Sequence, residues 1–257
     1  MNRAAKILLH MESPLLQYLF RLGDDSLILG HRLSEWCSRA PMLEEDLALA
    51  NMALDHIGRA KMLLEYAASF EAMGHSADDL AFGRDERHYY NLLITEVPNG
   101  DFAVTMVRMF IFSAFDVLRL EELSTSHDEM LAGIAQKGVK ESRYHRRHAA
   151  DWIWRLGKGT DESRRRVQRA LHTIWPFTDE MFDMDDTERV LIEEGIGCDL
   201  HTLREIWKKD VSEVISNAGL TLPEDGYMHR GGRNGVHTEA LGHIISEMNY
   251  GYELMLS

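Results

Sequence analysis

The 257 residues are 45% apolar and 27% charged with 5 prolines, a composition that supports a sizeable buried core and excludes intrinsic disorder. With 28 basic against 42 acidic side chains the formal net charge is -14, which disfavours binding to nucleic acid or to an anionic membrane surface. No run approaches the roughly 20 apolar residues that cross a bilayer, and Met1 to His10 lacks an apolar core with a cleavage site, so a cytoplasmic location is expected.

A first helix is predicted from about Leu15 to Arg39, where Leu19, Leu22, Ser26, Leu29, Leu33 and Trp36 recur at helical spacing before Pro41 interrupts the chain. A second covers about Leu43 to Met73, with Leu47, Ala50, Leu54, Ile57, Met62, Leu64 and Ala68 available for packing, and Gly74-His75-Ser76 ends it. Between Ala77 and Gly100 the pattern weakens into a connection carrying a short helix. The turn Val97-Pro98-Asn99-Gly100-Asp101 closes it and offers Asp101 as the next cap. The third long helix runs from about Phe102 to Leu123 on Met106, Met109, Phe110, Ser113, Val117 and Leu120. The fourth follows Ser124-Thr125-Ser126-His127 and reaches about Leu156, where Gly157-Lys158-Gly159 stops it. Further helices are expected at about Glu162 to Trp175, in short pieces through Glu194, at Leu203 to Asn217, and at Val236 to Leu256 with Asn234 helping to start the last.

Two pairs of long helices separated by one long connection describe an antiparallel four-helix bundle of the single-crossover, ferritin-like type. The chain then reads as one all-α domain over 1–257: a four-helix core at about 15–156, a crossover at 77–100, and accessory helices at 161–257 packed on the bundle.

A carboxylate-bridged di-iron site in such a bundle takes a Glu from each of two helices and a Glu-x-x-His pair from each of the others, because residues three apart share a face. That pattern is missing. On the fourth helix Glu141 precedes His145 by four residues, with Tyr144 at the ligand position; on the second, Asp46 and Asp55 are followed three residues later by Leu49 and Gly58. Glu35 on the first helix and Asp116 on the third complete a set of acids, one or more from every long helix. Glu35, Asp46, Asp55, Asp116, Glu141 and His145 are therefore candidates for a polar, hydrogen-bonded core without metal, and no catalytic, cofactor-binding or metal residue is assigned.

Other features read as structure. Asp85 and His88 share a helical face but suit a local salt bridge or cap, and His145 and His148 lie among Arg143, Arg146 and Arg147, which oppose added positive charge. The basic clusters at Arg143 to His148 and Arg164 to Arg169 read as solvated faces, and Met106, Met109, Phe110, Phe112 and Phe115 as helix packing. Gly231-Gly232-Arg233-Asn234-Gly235 and His237-Thr238-Glu239 suggest a cap, a docking surface or a seam. Cys37 and Cys198 read as free thiols.

Several segments together carry a family resemblance: Arg21-Leu22-Gly23-Asp24-Asp25, Leu47-Ala48-Leu49-Ala50-Asn51, Phe82-Gly83-Arg84-Asp85-Glu86-Arg87, Pro98-Asn99-Gly100, Lys140-Glu141-Ser142-Arg143-Tyr144-His145, Glu193-Glu194-Gly195-Ile196, and Gly231-Gly232 with His237-Thr238-Glu239. In order and spread, from about residue 15 onward, the chain resembles the PaaC-type subunit of bacterial ring-1,2-phenylacetyl-CoA epoxidase, the phenylacetate-CoA oxygenase complex. The resemblance implies a ferritin-like fold and a noncatalytic structural role beside a homologous PaaA-type catalytic alpha subunit. It further implies that the alpha subunit carries the di-iron centre and handles the CoA thioester, that other complex subunits take part, and that a separate NADPH-dependent reductase supplies electrons. The isolated chain would then have no cofactor and no activity of its own. Self-association is a further expectation for an exposed helical surface. Two alternatives stand beside this reading: an independent ferritin-like metal oxidase with a nonstandard site, and a helical scaffold or regulatory protein outside the oxygenase.

Overall fold

The computed structural model describes residues 13–70 and 74–256, and every regular element among them is helical. Helix α1 (Pro14–Ser34) starts with proline at its first position under a Ser13 cap, where the missing N–H costs nothing. It ends at Ser34, not at Arg39. Three tight bonds, Trp36 to Leu33, Cys37 to Ser34 and Arg39 to Trp36, turn the chain instead, Ser38 adopts a left-handed conformation (φ 65), and Pro41 keeps the residue before it out of the helical region. Helix α2 (Leu43–Ala68) has no side-chain cap but carries Glu44, Glu45 and Asp46 in its first turn, where the helix dipole favours negative charge. It ends before the expected Met73, a position outside the described residues.

The crossover holds α3 (Ala77–Phe82), opened by a reciprocal Ser76–Asp79 capping box, a single turn at Glu86–His88, and the short α4 (Leu93–Glu96). Asp101 caps α5 (Phe102–Leu123) as expected, and Asp128 rather than the preceding Ser and Thr residues caps α6 (Glu129–Gly157). Helices α1 and α2 pack as one pair and α5 and α6 as another, and the pairs meet along α2 and α6. Side-chain bonds from Glu45 to His148, Asp55 to His145 and Tyr66 to Asp128 show that α2 and α6 run antiparallel.

Among the described residues, four more helices cover this centre. Helix α7 (Asp161–Ile174) packs on α5 and α6, α8 (Asp186–Glu193) on α1, α9 (Leu200–Asn217) on α5 and α6, and α10 (Glu239–Leu256) on α3. Trp207 of α9 stacks on Trp175 at 5.7 Å and donates its indole N–H to the Ile111 carbonyl at 3.1 Å, fixing α9 against α5. Asn234 does not start the last helix: it closes a tight turn at Gly232–Asn234, and α10 begins at Glu239. The result is an all-α, ferritin-like bundle with additional C-terminal helices. No helix among the described residues is long and apolar enough to cross a membrane.

The covering leaves α1 enclosed on nearly every side, so its apolar residues Leu19, Phe20, Ile28 and Leu29 are joined in the interior by Arg21, Asp24, Asp25 and Arg32. Charges buried in this way require partners, and those partners define the candidate site.

Candidate functional site

Asp24 and Asp25 come from α1, Asp55, His56 and Arg59 from α2, Asp116 and Arg119 from α5, and Glu141, Ser142 and His145 from α6. The pairs His56 and Arg59, Asp116 and Arg119, and Ser142 and His145 are three residues apart, so each pair shares one inward face.

Asp116 is the centre. Its Oδ2 accepts from Arg59 Nη1 and from Ser142 Oγ, both at 2.6 Å, and its Oδ1 accepts from Arg119 Nη2 at 2.7 Å. Arg119 continues to Asp25 at 2.7 Å, and Arg233 from the chain before α10 donates to both oxygens of Asp25 at 2.9 Å. On the other side Arg59 donates to Ser142 Oγ at 3.0 Å and Glu141 at 3.5 Å. Arg233, Asp25, Arg119, Asp116, Arg59 and Glu141 thus form a line of alternating charge, three guanidiniums against three carboxylates. Burial alone would raise the pKa of Asp116, but Arg59, Arg119 and the Ser142 hydroxyl outweigh it and hold the carboxyl well below its usual range. Burial also opposes the charge on Arg119, and Asp116 and Asp25 reverse that and push its pKa up.

One turn beyond Ser142, His145 Nε2 lies 2.9 Å from Asp55, and its ring packs 5.0 Å from that of His56. His56 is enclosed, with no hydrogen-bond partner on either nitrogen among the described residues. Burial, then neighbouring His145 and Arg59, pushes its pKa well below 6.5, so the ring is neutral.

A second set of buried carboxylates holds irregular backbone in place. Asp24 accepts a forked contact from Arg84 and the Tyr90 N–H at 2.9 Å, while Asp25 also accepts the Leu92 N–H at 2.8 Å. Glu180 accepts backbone N–H groups of Leu93 at 2.9 Å and of Gly231 and Gly232 at 2.7 Å. Glu96 accepts the Thr238 N–H at 2.6 Å and pairs with His237 Nδ1 at 2.8 Å, while His237 Nε2 meets the Tyr89 carbonyl at 2.8 Å. The segment 229–238 is a strap tied across the crossover, because buried N–H groups outside a helix need acceptors from side chains. Gly232 is obligatory there: a Cβ would stand 2.2 Å from the Asn91 carbonyl oxygen.

Of the six residues singled out by sequence, Asp116 and Glu141 meet through Arg59, and Asp55 and His145 form the adjoining pair. Glu35 and Asp46 lie elsewhere. Glu35 ends α1, bonded to Arg32 at 2.6 Å and Asn99 at 2.9 Å, and Asp46 is half-buried in the first turn of α2. Sequence reasoning missed Arg59, Arg119, Asp25, Arg233, Ser142 and His56. One signal was available: Ser142-Arg143-Tyr144-His145 has the Glu-x-x-His spacing with serine in first place, and starting from Glu141 conceals it. Asp85 caps the turn Glu86–His88 and pairs with His88 at 2.8 Å, a local role. In the basic clusters Arg143 meets Glu121 at 2.7 Å and Arg146 forks onto Asp210.

The di-metal shell that this fold can hold does not fit these residues. Both oxygens of Asp116 are engaged by fixed cations, and the guanidiniums stand where an added divalent ion would be repelled. Among the described residues no group of three or more His, Cys, Asp or Glu side chains is placed to hold a metal.

The profile of a family described as "Phenylacetic acid catabolic protein" matches residues 3–255. The chain is 46% identical over 238 residues to the C-type subunit of the 1,2-phenylacetyl-CoA epoxidase of Escherichia coli (strain K12), covering 93% of this chain and 96% of that protein.

Proposed function

This chain belongs to the phenylacetic acid catabolic protein family, and on that premise we propose that it is the noncatalytic structural subunit of a phenylacetyl-CoA ring 1,2-epoxidase in aerobic phenylacetate degradation. Its partner is a PaaA-type catalytic alpha subunit within a larger complex that draws electrons from an NADPH-dependent reductase. The observation that carries the noncatalytic role is the Arg59–Asp116–Arg119 arrangement, in which guanidiniums take up the carboxylate at the centre of the bundle. Oxygen insertion into an aromatic ring needs a redox-active centre, and the di-iron site of the alpha subunit supplies it. This chain contributes a rigid helical body that acts as one unit and steadies the catalytic bundle beside it.

The test is reconstitution. Purify this chain, the alpha subunit and their mixture, then measure molar mass and phenylacetyl-CoA turnover with a competent reductase. A new heteromeric species is expected, with turnover that depends on the alpha subunit. Turnover by this chain and reductase alone would overturn the noncatalytic assignment, and alpha-subunit activity and stability unchanged by this chain would reject its supporting role.

A further inference from the structure

Helix α2 has two apolar faces. Leu49, Met52, Ala53, Ala60, Leu63, Leu64 and Ala67 are buried against the bundle. At 3.6 residues per turn, Leu43, Leu47, Ala50, Leu54 and Gly58 fall within an arc of about 80° on the opposite side. The three leucines on that arc are 72%, 58% and 65% exposed, whereas leucines of the inner face are fully enclosed. Ala50 among them and Gly58 one turn beyond Leu54 are small, and a Cβ on Gly58 would meet nothing within 4 Å, so another helix can approach closely. The stripe is about 24 Å long at 1.5 Å per residue. On the neighbouring α6 the exposed Tyr144 ring lies 6.2 Å from His145, which bonds Asp55 of α2. A contiguous apolar strip of this kind on a helix already packed on its inner side marks a contact with another protein.

We infer that the outer face of α2, Leu43, Leu47, Ala50, Leu54 and Gly58, docks a helix of the catalytic companion subunit, one with a matching apolar stripe flanked by lysine or arginine. The inference rests on the reading of this chain as a structural subunit. Charge selects this occupant over a second copy. The flanks of the stripe carry Glu44, with Asp55 paired to His145 beyond it, on one side and Asp46 on the other, and its far end carries Lys61 paired with Glu65. Antiparallel pairing of two copies across a two-fold axis would line one edge of the seam with Glu44 and Asp55 from both, between chains of net charge -14 each. A partner with basic flanks meets the same carboxylates as complements.

The experiment compares four forms of the full chain in titrations against the purified alpha subunit, followed by molar mass and by affinity: the natural protein, Leu47→Asp with Leu54→Asp, Gly58→Trp, and Ile206→Asp on α9 as a control at a different exposed apolar residue. All altered positions are exposed or open, and circular dichroism checks the fold. The double variant is expected to bind at least about a hundredfold more weakly, Gly58→Trp to be impaired by bulk rather than charge, and the control to bind normally. Natural-strength binding by both stripe variants would overturn the docking face while leaving the subunit reading intact. Failure of the natural chain to bind the alpha subunit would overturn that reading and the inference with it. A homodimer of the natural chain that the stripe variants abolish would assign the face to a second copy instead and refute the proposal.

Discussion

Replacing Asp116 with asparagine tests whether the central charges stabilise the bundle. The substitution keeps size and one carbonyl acceptor but removes the negative charge between Arg59 and Arg119. Breaking one partner of a buried ion pair costs about 3 to 5 kcal/mol. The lower end applies here, because Arg119 retains Asp25 and Arg59 retains Ser142. With an unfolding entropy of about 2.1 cal/mol/K per residue over the chain, about 3 kcal/mol lowers Tm by about 6 °C. Differential scanning calorimetry and urea titration measure both quantities, with Glu35→Gln as a control at a half-exposed carboxylate bonded to Arg32. Adding Arg59→Met to Asp116→Asn should recover part of the loss, since it withdraws the guanidinium left without its carboxylate. A Tm shift for Asp116→Asn no larger than that of the Glu35 control would refute the reasoning.

Three further outcomes follow from the same geometry. Burial lowers the pKa of His237 but its bond to Glu96 raises it more, so its contribution is fully present below pH 6.5 and is lost as pH rises through the raised folded value; amide protection factors across 229–238, corrected for intrinsic exchange, should fall over that window, and His237→Gln should flatten the dependence. Burial, reinforced by Glu122, pushes the Cys198 thiol up to about 12, so iodoacetamide at about pH 8 should label exposed Cys37 and reach Cys198 only on unfolding, as read by peptide mass spectrometry. Ser142→Glu restores a Glu-x-x-His spacing with His145, yet Arg59 and Arg119 remain beside it; metal analysis should find no stoichiometric iron and calorimetry a lower Tm, and one diiron centre per chain would contradict the account of the core.

The long helices are legible because their inner faces repeat at helical spacing, and Asp101 is legible as a cap because a turn precedes it. What periodicity does not report is which apolar face is covered. Leu47 and Leu54 carry the same signal as Leu64, so all three read as packing residues, while only Leu64 meets the bundle. Helix ends fail for a related reason: Trp36 continues the apolar period of α1, but local i to i+3 bonds and Pro41 decide where the helix stops. The candidate site was half visible. Acids stand out when a carboxylate shell is sought, whereas no pattern in the sequence marks Arg59 and Arg119 as buried, and Arg233 reaches Asp25 from 208 residues away. No local pattern announces a bond of that sequence separation.

The alternating line gives the polar interior of this bundle a physical role. Apolar contacts are non-directional and tolerate a helix sliding along its neighbour. The chain of charges does not, because its members come from five elements: Arg233 from the strap, Asp25 from α1, Arg119 and Asp116 from α5, Arg59 from α2, and Ser142 and Glu141 from α6. A shift of any one helix by a turn, about 5.4 Å, would break at least two charge-assisted bonds in a buried setting. Buried polar groups are known to fix register in this way at some cost in stability. In this chain the helix so held is α2, whose inner face presents Arg59 to Asp116 and whose outer face carries Leu43, Leu47 and Leu54. The charges that fix its register also fix the position of that outer face, which a docking partner requires of the surface it meets.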